Sequence, residues 1–136
     1  MEDTIFAKII RHEIPADIVY EDDDTMAFLD INPVLPGHTL VIPKKASRNI
    51  FDINADSLTA LIRTVQKIAG AVKEATNADG MNITMNNEPA GGQVIFHTHM
   101  HIIPRYLEDG LAPWPARKYG PGENTVLVEK IRTVLK

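Results

Sequence analysis

The chain contains no cysteine, which excludes disulfide bonds and thiolate metal ligands. It has no surplus of basic residues: 14 Lys and Arg against 18 Asp and Glu give a net charge of −4. This balance argues against a nucleic-acid partner, for which a basic patch is expected. No apolar run approaches the roughly 20 residues of a membrane span. The N-terminal MEDTIFAKII also lacks the basic start and long apolar run of a signal peptide. We therefore expect a cytoplasmic protein with no membrane partner.

What is present is typical of one globular domain: 136 residues, 44% of them hydrophobic and 24% charged. Thr4 is a candidate N-cap for a short helix that ends before Pro15. Two β-prone runs, 18–21 and 25–30, flank an acidic turn and predict a hairpin. The run HTLVIP, which starts at His38, predicts a buried central strand.

Residues 55–77 carry the clearest helical pattern, with Asn54 or Asp56 as the candidate cap. Its apolar stripe consists of Leu58, Leu61, Ile62, Val65, Ile68, Ala69, Val72 and Ala75. The rest of the chain is predicted to contain a strand over 81–87, a second strand ending near Tyr106, a loop over 107–122 and a helix over 123–136. The C-terminal helix has its own stripe of Val126, Ile131, Val134 and Leu135, which predicts that it closes the domain. This order predicts an α+β domain, 1–136, with a mainly antiparallel sheet.

Three of the five histidines, His97, His99 and His101, alternate within five residues, shortly after a glycine turn. If this segment is a β-strand, the three rings lie on one face, roughly 6–7 Å apart. Thr98 and Met100 then face a core. An isolated histidine is usually structural, and we assign His12 to the surface and His38 to a buried hydrogen bond. Three alternating histidines favour chemistry.

Two chemistries suit this row. A neutral imidazole is a nucleophile near physiological pH, and a glycine turn (here Ala90 to Gln93) brings backbone N–H groups close to phosphate oxygens. Such donors often make the largest contribution to catalysis by stabilising developing charge. The alternative is a metal site, because alternate histidines on a strand are a known ligand spacing and Asp22–Asp24 could add oxygen ligands.

The run HTHMHII from His97 resembles the signature of the histidine-triad (HIT) family. The segment upstream of the triad is also similar to that of the family. It contains Asn86, Gly91 and Gln93, with four residues between the first two and one residue between the last two. Three further segments resemble the nucleoside-phosphoramidase branch (histidine-triad nucleotide-binding proteins) and its bacterial relatives. They are TIFAKIIRHEIPADIVYEDD, FLDINPVLPGHTLVIPKK and the long helix. The likeness covers about residues 4–106, and 107–136 match less clearly.

The resemblance implies a HIT-like fold and a homodimer whose two sheets join edge to edge, with a purine nucleotide site in each subunit. It implies that His99 attacks the α-phosphate and forms a covalent nucleotidyl-histidine. His97 would orient and polarise the site, and His101 would contact the phosphate. The implied nucleotide contacts are Asn86 and the backbone of Gly92, Gln93 and Val94 at the phosphate, Asp30 at the ribose, and Phe6, Ile14, Phe28 and Ile31 around the base. Without the resemblance, these apolar residues would be assigned to the core.

The sequence departs from the family at two sites. Thr4, Ala7 and Ala46 occupy positions where several bacterial relatives have zinc ligands, so we predict no metal and no cofactor. Val94 stands where the phosphoramidase branch typically has a serine. This change keeps a non-catalytic nucleotide-binding adaptor open as a second hypothesis, and a metal-dependent hydrolase is the third. His101 argues against the uridylyltransferase branch, which has glutamine there, and the acidic charge argues against the DNA-repair branch.

Overall fold

The computed structural model describes residues 3–135. Its elements are α1 (Ile5–Ile10), β1 (Ile18–Glu21), β2 (Thr25–Leu29), β3 (Thr39–Pro43), α2 (Ala55–Thr76), β4 (Gly80–Thr84), β5 (Met100–Arg105) and α3 (Glu123–Leu135). The five strands form one sheet in the order β1-β2-β3-β5-β4, and every adjacent pair is antiparallel. The predicted α+β class is confirmed. No helix among the described residues is long and apolar enough to cross a membrane.

The central strand β3 separates two apolar clusters. All five of its residues are buried, as predicted for HTLVIP. Leu40 and Ile42 face the cluster that contains Phe6 and Ile9 of α1. Val41 faces the other cluster, which α2 covers with Leu61, Val65 and Ile68. Because side chains alternate along a strand, one buried strand supplies both faces of the core.

The caps of the first two helices match the sequence signals. Thr4 accepts a hydrogen bond from the N–H of Ala7, and Asn54 accepts one from Ser57. The prediction that α1 is short and ends before Pro15 is confirmed. The helix ends at Ile10 because His12 takes a left-handed backbone with φ 59°.

Two apolar residues of the predicted α2 stripe, Ile62 and Ala75, are exposed. A polar residue, Thr64, is buried instead. Its hydroxyl lies 2.8 Å from that of Thr25 on β2, so each satisfies the other inside the core. The helix covers the sheet with Leu61, Val65 and Ile68, and Ala69 and Val72 pack beside them.

The prediction that His97 and His99 lie on a strand was wrong. Pairing with β3 begins at Met100, so His101 alone of the three histidines lies within β5. The preceding backbone pairs elsewhere, because the N–H of Thr98 donates to the carbonyl of Ser47 at 2.9 Å. The two hydroxyls of Thr98 and Ser47 lie 2.6 Å apart and reinforce this departure from the sheet.

Residues 107–135, which we call the C-terminal arm, leave the body of the domain. The predicted helix is present as α3, although its last predicted residue, Lys136, lies outside the described residues. Every residue from Leu111 to Leu135 is exposed, and none of the described residues of α3 is buried. The expectation that this helix closes the domain was wrong, because its apolar residues contact no core.

Candidate active site

A cavity of about 640 Å³ opens on the α1 side of the sheet. Its walls combine an apolar region with a small polar group, which is the usual character of small-molecule sites. The apolar lining includes Phe6, Ile9, Ile14, Phe28, Leu40, Ile31, Val94 and Ile95. The polar lining includes Asp30, Asn86, His99 and His101. Apart from Gln93 and His97, the cavity brings together all the residues that the sequence predicted for the site.

His99 lies in the cavity wall with one ring nitrogen committed. Its Nδ1 is 2.7 Å from the backbone carbonyl of His97, and a carbonyl only accepts, so Nδ1 carries the proton. The Nε2 of the neutral ring therefore keeps a free electron pair. Burial lowers the pKa of His99, although the bond to the His97 carbonyl and the nearby Asp30 raise it. The ring is neutral at pH 7 and suited to nucleophilic attack.

His97 lies behind the wall rather than in it, and only 2% of its surface is exposed. Its Nε2 donates to the carbonyl of Pro43 at 2.8 Å, which ties the segment to the end of β3. The ring of Phe6 stands edge-on to both His97 and His99, with centroid distances of 6.2 and 5.0 Å. Through its carbonyl and this contact, His97 orients His99.

His101 belongs to a second pair of rings. Its centroid lies 5.1 Å from that of His99 and 5.2 Å from that of His38. Its Nδ1 is 2.9 Å from Nε2 of His38. Burial, with His99 and His38 as smaller causes, lowers the pKa of His101 to about 4. The prediction that His38 is a buried hydrogen-bonding residue is confirmed, since it is 3% exposed.

Asp30, His38 and His101 together are the group of side chains, among residues 3–135, that could surround a metal ion. A ligating histidine offers a nitrogen lone pair to the metal and holds its proton on the other nitrogen. In His38, Nδ1 already accepts from the N–H of Val34 at 3.0 Å, so the proton sits on Nε2, the atom that faces the group. The hydrogen bonds of His38 therefore do not fit a metal ligand.

The turn before the histidines offers few free backbone donors. Gly92 has φ 89°, a conformation that favours glycine. The N–H groups of Gly92 and Gln93 donate to the carbonyls of Pro89 and Glu88. Of the backbone amides of Gly92, Gln93 and Val94, that of Val94 has no hydrogen-bond partner within the described part of the chain. It is therefore the backbone donor of this turn that is available to a ligand.

Gln93 is 3% exposed and its side chain does not line the cavity. Its oxygen accepts from Asn49 Nδ2 at 3.0 Å and from the N–H of Glu88 at 2.9 Å. Its nitrogen donates to the carbonyls of Arg48 and Ile95. The sequence assigned the backbone of Gln93, not its side chain, to the phosphate contacts, and the structure shows that the side chain ties the glycine turn to residues 48–49.

A surface ion pair fastens the same turn from outside. Nε and Nη2 of Arg48 donate to the carboxylate of Glu88 at 2.7 and 2.9 Å. This contact, with Asn49 second, lowers the pKa of Glu88 to about 2. Glu88 holds φ 65°, a left-handed conformation that is uncommon for a residue with a Cβ atom. Neither Arg48 nor Glu88 was singled out by the sequence.

The residues predicted around a base and a ribose line the same cavity as the histidines. Phe6 and Phe28 are buried and pack edge-on, 5.5 Å apart, so they serve both the core and the cavity wall. Ile31 is 91% exposed at the rim. Asp30 is held in place as its carboxylate accepts from the N–H of Asn32 at 2.9 Å.

The sequence did not place His38 in contact with the histidine row, and one signal for this existed. His38 precedes the central strand and lies two residues before Leu40, so both belong to the same face. Leu40 pairs with His101 across the sheet. The register between β3 and β5 was therefore the missing information.

An antiparallel sheet with a helix on each face and a histidine-lined cavity defines the class: an α+β protein with a candidate small-molecule site. Residues 11–108 match the HIT domain family, and the chain belongs to that family. The purine nucleoside phosphoramidase of Escherichia coli (strain K12) is 45% identical over 103 residues, 75% of this chain and 87% of that protein. The adenylylsulfatase HINT3 of Arabidopsis thaliana is 44% identical over 109 residues, 80% of this chain but 55% of that protein. The crystal structure of SMU.412c from Streptococcus mutans UA159 is similar over 100% of this chain and 87% of its own, with 39% identity and a TM-score of 0.94.

Proposed function

We propose that the protein is a hydrolase or transferase that binds a purine nucleoside monophosphate derivative and cleaves it at the α-phosphate through a nucleotidyl-histidine on His99. The observation that carries this proposal is the hydrogen bond from His99 Nδ1 to the His97 carbonyl. It leaves the Nε2 electron pair free in a ring that burial keeps neutral. A neutral, oriented imidazole beside a cavity is suited to attack on phosphorus.

The proposed reaction has two steps. In the first, Nε2 of His99 forms a bond to the α-phosphorus, while the P–N or P–O bond to the leaving group breaks. The leaving group departs with the bonding electrons and takes up a proton from the solvent, which the attacking water of the second step returns. In the second step, water attacks the same phosphorus, breaks the N–P bond and returns His99 to its neutral form. The products are a nucleoside monophosphate and the protonated leaving group.

The distribution of polar groups supports the choice of a nucleotide. Asp30 can accept hydrogen bonds from ribose hydroxyls, and the apolar walls at Phe6, Phe28 and Ile14 suit a flat base. Asn86, Val94 N–H and His101 lie in or beside the same cavity and offer donors to phosphate oxygens. The volume of about 640 Å³ falls in the usual range for small-molecule sites, ~300–1,000 Å³.

Two relatives favour the same bond. One is named a purine nucleoside phosphoramidase and the other an adenylylsulfatase, so both names describe cleavage beside a nucleoside phosphate. We extend this chemistry to the present chain and include dinucleoside polyphosphates among the candidate substrates. No metal or other cofactor takes part in the proposed steps.

The test is rapid quench of the protein and an adenosine phosphoramidate in alkaline denaturant, because acid hydrolyses the P–N bond of a nucleotidyl-histidine, followed by mass analysis of the peptide that contains His99. Wild type is expected to carry a nucleotidyl adduct at that residue, and His99→Ala is expected to lose the adduct and turnover. His12→Ala is the matched control, because its side chain is 58% exposed and lies outside the cavity. Equal turnover by wild type and His99→Ala would contradict the proposal.

A second candidate is a nucleotide-binding adaptor without turnover. It is favoured by Val94, an apolar residue at the cavity that is 83% exposed and adds no side-chain donor for a leaving group. Binding of adenosine monophosphate by calorimetry, with neither adduct nor product from phosphoramidates or dinucleoside polyphosphates, would favour this candidate.

We also propose that two copies form a homodimer through the edge strand β4, assisted by the C-terminal arm. A free sheet edge is a template for pairing with another strand. The opposite edge, β1, contains an irregularity between Ile18 and Tyr20, whereas the pairing of β4 is regular throughout. A helix of 13 residues is marginal alone in water, so the exposed apolar residues of α3 favour a partner surface.

A further inference from the structure

His38 lies outside the alternating row of histidines but is joined to it by a hydrogen bond. Its Nε2 lies 2.9 Å from Nδ1 of His101, and the ring is 3% exposed. Two imidazole nitrogens at this distance share one proton, so one ring donates and the other accepts. The direction of this bond decides which nitrogen of His101 can face a ligand as a donor.

The other side of His38 determines the direction. The backbone N–H of Val34 donates to Nδ1 of His38 at 3.0 Å. An amide N–H cannot accept, so Nδ1 of His38 carries no proton. Burial lowers the pKa of His38, and the ring is neutral at pH 7. Its single proton must therefore sit on Nε2.

Asp30 supports the same assignment independently. Its Oδ2 lies 3.5 Å from Nε2 of His38. A carboxylate only accepts and is therefore favourable beside an N–H, whereas a nitrogen lone pair there would be repelled. The Nε2 proton of His38 thus points at two acceptors, His101 Nδ1 and the carboxylate.

The consequence falls on His101. Its Nδ1 accepts from His38, so the proton of the neutral ring is on Nε2. This Nε2 atom is buried and has no hydrogen-bond partner among residues 3–135. An unpaired buried N–H is costly, and His101 lines the cavity. A ligand oxygen in the cavity is the acceptor that would satisfy it.

We infer that His38 is a positioning residue that holds His101 as its Nε2–H tautomer, so that His101 presents a hydrogen-bond donor to a phosphate oxygen. The identity of the acceptor rests on the proposed function, whereas the tautomer does not. Without His38, the ring of His101 can turn its protonated nitrogen away from the cavity. The proposed reaction would then lose one donor to the developing charge on phosphate.

Nuclear magnetic resonance of ¹⁵N-histidine-labelled protein at pH 7 tests the tautomer directly. Two-bond proton–nitrogen correlations distinguish an imidazole that is protonated at Nε2 from one protonated at Nδ1. We expect His101 to be protonated at Nε2 in the wild type without ligand. A wild-type His101 protonated at Nδ1 would overturn the inference, whatever the protein does to nucleotides.

Two variants of His38 separate its two hydrogen bonds. His38→Gln places an amide nitrogen near the former Nε2 and keeps a donor to His101. His38→Asn places its amide near the former Nδ1 and keeps a contact with Val34 but not with His101. We expect His38→Asn to mix the tautomers of His101 and His38→Gln to retain Nε2–H.

Kinetics with an adenosine phosphoramidate complete the test. Removing a donor to a developing oxyanion lowers kcat by roughly 100-fold or more, so we expect a loss of about 10- to 100-fold in His38→Asn. KM should change little, and His38→Gln should recover most of kcat. Equal losses in both variants, or unchanged tautomer and kcat in His38→Asn, would overturn the inference. Absence of turnover in wild type with an Nε2–H tautomer would instead reject the proposed function and leave the tautomer assignment in place.

Discussion

The side-chain amide of Asn49 donates to the side-chain oxygen of Gln93 across 3.0 Å, and both residues are buried. Gln93→Ala leaves Asn49, the N–H of Glu88 and the carbonyl of Arg48 without this partner. We expect the free energy of unfolding to fall by about 2–3 kcal/mol, because unsatisfied buried polar groups are costly. Urea denaturation measures the change.

Gln66 provides a matched control for this substitution, because it is exposed on α2 and alanine is favourable in a helix. Gln66→Ala should unfold at the wild-type urea concentration or slightly above it. Equal midpoints for Gln93→Ala and wild type would show that the amide network does not stabilise the fold.

Glu88 combines an ion pair with a left-handed backbone, φ 65°. Glu88→Ala and Glu88→Gly both remove the contact with Arg48, but glycine alone adopts this φ without steric penalty. We expect the glycine variant to have the higher melting temperature of the two. Calorimetry at low and high salt measures both, and the reverse order would mean that the backbone at 88 relaxes when the carboxylate is removed.

The buried histidines predict a dependence of stability on pH. Burial lowers the pKa of His38, His97 and His99, and lowers the pKa of His101 to about 4. In the unfolded chain, the same histidines have ordinary pKa values near 6.5. As the pH falls below about 6.5, the unfolded chain therefore binds more protons than the folded chain. The free energy of unfolding should have its full value above about pH 6.5 and should fall as the pH drops toward 4.

For His101 alone, the loss is at most about 3 kcal/mol, from a change of the pKa from 6.5 to about 4. The free energy of unfolding in urea, measured between pH 7 and 5, gives the slope. His101→Asn should reduce this slope, whereas His12→Gln, at an exposed position, should not. If the free energy of unfolding of the wild type did not change between pH 7 and 5, the conclusion that the buried histidine rings are neutral would be wrong.

Val94 lies at the cavity with 83% of its surface exposed, so its substitution should leave stability unchanged. A hydroxyl at this position could donate to a departing group. We expect Val94→Ser to raise kcat for an adenosine phosphoramidate by roughly 2- to 10-fold, the contribution of one hydrogen bond. Val94→Ala separates this effect from the loss of apolar bulk, and equal rates in the two variants would contradict the hydrogen bond.

The proposed dimer predicts a mass of twice 15.1 kDa in sedimentation equilibrium. Ile83→Lys on β4 and Ile131→Lys on α3 should each weaken association, because a charge replaces an exposed apolar side chain at the proposed interface. Val19→Lys makes the same change on the opposite edge strand, where 51% of the valine is exposed, and should not weaken it. A monomeric wild type at the highest attainable concentration would contradict the proposal.

Local signals were sufficient for most of the fold. The caps Thr4 and Asn54, the hairpin and the long helix each follow from residues close together in the chain. The backbone at His97 was not predictable in this way, because Thr98 bonds to Ser47, 51 residues earlier. The same applies to His38, which meets His101 across 63 residues. Alternation of residue types indicates a strand only where a partner strand continues beside it.

The position of Trp114 has a spectroscopic consequence. It is the single tryptophan of the chain, lies in the C-terminal arm and is 93% exposed. Its fluorescence emission therefore reports the surroundings of the arm, not the packing of the sheet. Emission of an isolated subunit should be that of an indole in water, and a shift to shorter wavelength with rising protein concentration would follow the arm onto an apolar surface.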